Sequence, residues 1–307
     1  MKAAAIVSLV WAVLLAAAVA FPVHAGEQIV HLTSPLDQAE SPGDSQPAQG
    51  LGEARARAVF QEAESLLPGS LSQGREEVLF DFLAARAETY VLSYARGKTE
   101  ARGALLTTTW RIGVNEALLK QTLRDWGVYF TLKGPWDYSL EWGRDDPGPY
   151  LETVHRLETL SGLVNRVGAH PRLRLSPGGG EGAAWRGLLK HEEQSWSAAG
   201  SGLEEVWFEL WARYFRQPDV QARVLEVFRL RVQGWSSVSG VRGFDRVLRK
   251  NSGWVNQAVL LRTVLSADSV AAQWDVHTPD RQRLEQFLNG YLPARGLNYD
   301  LEHRQEE

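Results

Sequence analysis

Glu226-Val-Phe-Arg-Leu-Arg-Val232 and, further on, Val270-Ala-Ala-Gln-Trp-Asp-Val-His-Thr-Pro279 decide the reading of this chain. Phe228, Leu230 and Val232 alternate with charged neighbours, and Val270, Ala272, Trp274 and Val276 repeat the pattern. Each stretch therefore predicts a half-buried strand. Between them Phe244, Val247 and Leu248 recur at helical spacing, and Asn251-Ser252-Gly253 turns the chain. Val259, Leu261 and Leu265 mark another strand, joined to Val270–Val276 by a tight turn at Ala267-Asp268. Thr278, with Pro279 in the first helical position, predicts the cap of a last helix. Leu284, Phe287, Leu288 and Leu292 stripe that helix, and Leu297–Leu301 closes a fourth strand. The order β-α-β-β-α-β over 222–302 is that of a ferredoxin-like module, with both helices on one face of an antiparallel sheet.

Upstream, the same mixture of periods continues. Ala56, Val59, Phe60, Ala63 and Leu67 predict a helix that Pro68-Gly69 stops, and Leu79, Phe82, Leu83 and Ala87 a second. Tyr90, Leu92 and Tyr94 then alternate, as do Trp110, Ile112 and Val114, with a polar turn at Gly97-Lys98. Asn115 caps a helix carried by Leu119, Leu123 and Trp126. Val128–Leu132 and Tyr138, Leu140 and Trp142 complete an N-terminal α+β module over 52–145. The run Arg144-Asp-Asp-Pro-Gly-Pro149 reads as a joint. A middle module, 150–216, opens with a helix over 150–167 and continues with strands near Leu173, Trp185–Leu189 and Trp196. Ser201 and Glu204 predict a capping box before the stripe Leu203, Val206, Trp207, Leu210, Trp211 and Tyr214. The expected class is α+β, in two or three small modules with antiparallel sheets and helices on one face.

Three times a strand holding a tryptophan (Trp110, Trp196, Trp274) leads through a polar cap into an amphipathic helix, which supports a modular build. The opening Glu53-Ala-Arg-Ala-Arg-Ala58, followed by the Tyr90–Tyr94 strand and the Trp110–Val114 strand feeding a helix, resembles the N-terminal module of flagellar assembly protein T. The 222–302 pattern is similar to the tail of an uncharacterised secreted family. These resemblances imply a non-catalytic assembly or interaction protein of the Gram-negative envelope.

The first 25 residues read as a cleaved signal peptide. Lys2 is the positive end, Ala3–Ala20 an apolar run, and Val23-His24-Ala25 a peptidase site. An uncleaved anchor is the rival, because such a run lies at the lower edge of what spans a bilayer. Residues 26–51, broken by Pro35, Pro42, Gly43, Pro47 and Gly50, read as a flexible leader. The 307 residues contain no cysteine, so a disulfide framework, a thiolate metal site and a cysteine nucleophile are excluded. A formal charge of −4 argues against a nucleic-acid partner. The expected location is the periplasm, with no membrane span after cleavage, and the expected partner is another envelope protein or a glycan.

There is no H-E-x-x-H, no G-x-S-x-G, no S-x-x-K, and no phosphate-binding spacing in Gly178–Gly182. His191-Glu192-Glu193 reads as a solvated hairpin end and His155 as a surface residue. His31 and His303 fall in tails. Asp145-Asp146 and Glu204-Glu205 read as a linker and a first-turn complement to the helix dipole. No metal, cofactor or enzymatic activity is expected; an envelope hydrolase acting on glycan or peptide bonds is the alternative. Of the 12 tryptophans, Trp110, Trp196, Trp207, Trp211 and Trp274 fall on apolar phases and are expected in cores. Trp142, Trp235 and Trp254 lie at element ends and are the candidate surface anchors for a partner.

Overall fold

The computed structural model describes residues 26–35, 46–143, 148–178, 185–250, 254–266 and 269–304. The signal-peptide reading of 1–25 lies outside the described residues. So do the glycine-rich loop beyond Gly178, the Asp145-Asp146 joint, and the turns at 251–253 and 267–268. The class is α+β, with three sheets among the described residues.

Strands β1 (Gly26–Pro35), β2 (Val91–Arg102) and β3 (Leu105–Val114) form an antiparallel sheet in the order β1-β3-β2. Helix α1 (Gln46–Leu66) covers one face, and α2 (Gln73–Ala84), α3 (Ala87–Tyr90) and α4 (Glu116–Asp125) pack beside it. Small residues on α1, Ala54, Ala58 and Ala63, let it settle closely on Val30, Trp110, Ile112 and Val114. Asn115 caps α4 as expected, accepting from the Leu118 amide at 3.1 Å.

Three expectations for this region are corrected. Residues 26–35 are not a leader but an ordered strand, with Val30 and Leu32 buried. Their two-residue alternation gains its partner only from β3, far along the chain. The hairpin turn is at Gly103, where φ is +61°, and Gly97-Lys98 instead falls in a register shift between Arg96 and Thr99. Leu92 and Tyr94 are exposed, because β2 is an edge strand with another shift between Val91 and Ser93.

The second sheet has the order β5-β4-β6-β7-β8, from β4 (Trp136–Trp142), β5 (Leu163–Asn165), β6 (Arg172–Pro177), β7 (Trp185–His191) and β8 (Gln194–Gly200). Strand β4 runs parallel to β5 and β6, and the remaining pairs are antiparallel. Parallel neighbours need a crossover, which α5 (Leu151–Ser161) supplies. The expected place of β4 in the N-terminal module is corrected, because it belongs to the sheet of the middle one. One continuous core runs from Val30 to Leu225, so 52–145 and 150–216 form a single body.

Helix α5 stops at Gly162, whose φ of +65° suits glycine, and the expected helix over 150–167 is shortened accordingly. Val128–Leu132 is a buried turn and no strand. Arg75 from α2 ties this turn to α5, donating to the carbonyls of Leu160 and Thr131 at 3.0 and 3.1 Å. Helix α6 (Leu203–Phe215) buries its whole expected stripe, followed by α7 (Pro218–Ala222). The expected capping box does not form: Gly202 is the N-cap, without a side-chain hydrogen bond, Glu205 accepts from the Ser201 amide and hydroxyl, and Glu204 pairs with Arg86 at 2.9 Å.

Over 222–302 the observed order is β9 (Glu226–Trp235), α8 (Val238–Lys250), β10 (Gln257–Leu265), β11 (Val270–Thr278), α9 (Arg281–Tyr291), β12 (Asn298–His303). The sheet is antiparallel throughout, in the order β10-β11-β9-β12. Phe228, Leu230, Val232, Trp274, Leu284 and Leu288 share a second core, separate from the first. The expected phase of β10 is corrected. Val259, Leu261 and Leu265 face solvent, while Ala258 and Leu260 pack inward, with a bulge between Leu260 and Arg262. The cap of α9 is Asp280, accepting from the Arg283 amide at 3.0 Å, and Pro279 precedes the helix. Thr278 supports that cap by accepting from the Asp280 amide.

Candidate functional site

The three tryptophans singled out as anchors are not brought together. Trp142 ends β4 in the first body, half-buried against its core. Trp235 ends β9 but is only 7% exposed, tilted against Phe244 at 5.6 Å. A Cβ at Gly240 would lie 2.8 Å from its ring, so glycine is what admits it. Trp235 is therefore a core residue and not a surface anchor. Trp254 is half-buried on Phe287, 4.8 Å away. Position at a strand end does not tell which way a ring turns, and the inward turn buries more apolar area.

The histidines are also dispersed. His155 is exposed beside Glu158 at 3.1 Å, and His170 is exposed. His31 lies in β1, within 3.1 Å of the Thr109 hydroxyl, and His303 in β12, so neither is in a tail. His191 is buried, its ring edge-on to Tyr214 at 5.2 Å, and not at a solvated hairpin end. The chain turns one residue later, at Glu192, where φ is +51°. Among the described residues no three His, Asp or Glu side chains form a group that could hold a metal.

What the fold does gather is a cleft of about 420 Å³ between α4, the turn after it, and α6–α7. Gln121, Arg124, Asp125, Phe130, Phe215, Arg216 and Gln221 line it. Phe130 and Phe215 stack at 5.4 Å and form its apolar wall. Asp125 is fully engaged. Arg216 grips both its oxygens, at 3.1 and 2.8 Å, and Gln121 donates to one at 2.8 Å. Gln221 is held by its amide to the Phe215 carbonyl, leaving its own oxygen as an acceptor.

Arg124 is different. Its guanidinium donates to the Asn256 side chain across the seam with the C-terminal module, and its Nε is sealed from solvent without an acceptor. No ion pair involving it occurs among the described residues. Burial lowers its pKa, opposed by Tyr129 and Asp125. Tyr129 itself is buried and pushed up to about 12 by desolvation. One turn earlier on α4, Lys120 donates to the Val255 carbonyl at 3.0 Å. Burial, and then repulsion from Arg124, push its ammonium down to about 7.

Sequence reasoning missed Lys120 and Arg124. Their i, i+4 spacing on the polar side of α4 reads as a solvated face. Nothing local shows that Val255 and Asn256 will cover it. A second, shallower cleft of about 450 Å³ sits over Phe82. Its cations are already paired, Arg86 with Glu204 at 2.9 Å and Arg156 with Asp81 at 3.4 Å.

Lys120 gives the seam a pH dependence. Its folded pKa lies below the unfolded one, so folding penalises the charged form. The penalty is fully present below about pH 7 and is relieved as pH rises toward the unfolded value near 10.5. Relative to Lys120→Met, the wild-type urea midpoint should therefore rise between pH 6.5 and 9.5. A constant difference between the two proteins would contradict this.

No family model matches the chain, and no curated protein matches it. Among solved structures, an unknown protein from Galdieria sulphuraria is similar at 12% identity, over 77% of this chain and 94% of its own, with a TM-score of 0.21. A likeness that low carries no argument about fold or function.

Proposed function

We propose that the chain is exported to the periplasm and works there by binding, as a non-catalytic assembly or interaction protein of the cell envelope. The signal-like residues 1–25 support export. No helix among the described residues is long and apolar enough to cross a membrane. The observation that carries the binding reading is Arg124, a desolvated guanidinium with no ion pair among the described residues, on the wall of a cleft with aromatic and amide groups. Such a group is suited to receive an acidic or carboxylate-bearing segment of a partner, through charge-assisted hydrogen bonds.

The test is in two steps. Cross-linking in the periplasm identifies the partner, and its affinity is then measured for the wild type and for Arg124→Gln. Loss of a buried charged contact should weaken binding at least ~10-fold. Equal affinity would remove the cleft from the interface. Cleavage of a glycan or peptide by the pure protein would replace the binding reading with the hydrolase one.

A further inference from the structure

Glu62, on α1, is only 5% exposed. A buried carboxylate is costly unless a cation or several donors compensate it. Two neutral side chains reach it. Gln28 donates to Oε2 at 2.6 Å and Ser65 to Oε1 at 3.2 Å. No ion pair with Glu62 occurs among the described residues. The backbone of Gly26 is also close: a Cβ there would fall 2.3 Å from Oε2 and 3.0 Å from Oε1. A side chain there would require the Glu62 carboxylate to move. Nitrogen and Cβ on one Cα are about 2.5 Å apart, so the Gly26 nitrogen lies within about 5 Å of this carboxylate.

Inside a continuous chain that nitrogen is a neutral amide. The sequence, however, places the peptidase pattern Val23-His24-Ala25 directly before it. Hydrolysis of the Ala25–Gly26 bond by a signal peptidase consumes one water. It leaves a carboxylate on Ala25 and an amine on Gly26, which is largely protonated at neutral pH. We propose that processing supplies the missing counter-charge: the freed Gly26 ammonium pairs with Glu62 and pins β1 to α1. Gly26 is paired with Val114 at the end of the first sheet, so the contact would hold down the strand that carries Val30 and Leu32. The inference rests on the export proposed above and adds a structural role for the cleavage itself.

The chain beginning at Gly26 can be prepared from a fusion that a protease removes without leaving extra residues. Its melting temperature is compared with that of the same chain acetylated on Gly26, which turns the ammonium into a neutral amide like that of the continuous chain. Both forms are measured with Glu62 and with Glu62→Gln. Acetylation should lower the melting temperature by ~5 °C with Glu62 present and by nothing with glutamine. A third chain, beginning at Ala25, moves the amine away by one residue and should melt like the acetylated form. This comparison also serves if Glu62→Gln fails to fold. An equal drop in both backgrounds, or no effect of acetylation or of the added alanine, overturns the pairing. N-terminal sequencing of the exported protein tests the processing independently. A start at Gly26 supports it, and any other start overturns cleavage as the source of the charge, whatever the prepared chains show.

Discussion

Arg75→Met should lower the stability of the first body by about 3–5 kcal/mol, measured by urea denaturation. Arg75 is 9% exposed, and it faces oxygen acceptors instead of an acid. Its Nε meets the Leu160 carbonyl at 3.0 Å, and its two terminal nitrogens meet Thr131, at the carbonyl and at the hydroxyl. Burial lowers its pKa to about 10, so it remains charged at neutral pH. Leu160 belongs to the last turn of α5, the negative end of the helix dipole, where a cation is favourable. Methionine keeps an unbranched apolar stem, stops short of the guanidinium position and removes every donor, leaving buried oxygens unsatisfied. Lysine would keep the charge but could not fan out to the same acceptors. A loss below about 1 kcal/mol for Arg75→Met would mean that water satisfies those oxygens and that the guanidinium is incidental.

Trp274→Ala should cost a similar amount, about 3–5 kcal/mol, but in the other core. Trp274 is fully buried, edge-on to Phe244 at 5.3 Å, and its Nε1 donates to Asp245 at 3.1 Å. The truncation removes a large apolar volume and also a partner of that aspartate. Because the two cores are separate, the damage should remain with 226–303. The mutant should unfold in two steps, the C-terminal module first and the body containing Trp207 and Trp211 at its usual midpoint. A single unshifted transition would place Trp274 outside the core and overturn the strand phase.

Elements whose burial is decided by their own periodicity were legible. Helix α6 shows it best, with Val206, Trp207, Leu210, Trp211 and Tyr214 buried as their spacing requires. Strand β9 followed its alternation for the same reason, whereas β11 buries its expected residues and also Gln273 and Asp275 on the other face, so it is covered on both sides and not half-buried. Failures came wherever a distant partner or a local irregularity set the outcome. Strand β1 shows two buried apolar residues and depends on β3 for its pairing. Strand β4 has a good pattern, but its parallel neighbours lie beyond the apparent joint, so the boundary was drawn through a single body. In β10 the run Val259-Leu260-Leu261 is apolar on both phases, so nothing local marks Ala258 and Leu260 as the inward set, and a bulge follows Leu260. The cleft was least visible of all. Arg124 looks like any exposed arginine until a module more than a hundred residues later supplies Asn256.

The seam between the two bodies has an evolutionary consequence. Lys120 holds the carbonyl of Val255 at 3.0 Å, and Arg283 holds that of Leu67 at 3.3 Å. Both grips are on the main chain, which every residue type provides. Leu67 and Val255 can therefore vary to suit their own cores without altering what the cations bind. Selection for docking falls on Lys120, Arg283 and the Arg124–Asn256 pair, while the interiors on either side drift independently. Lineages could exchange or diversify one body and retain the joint, provided those few side chains travel with it.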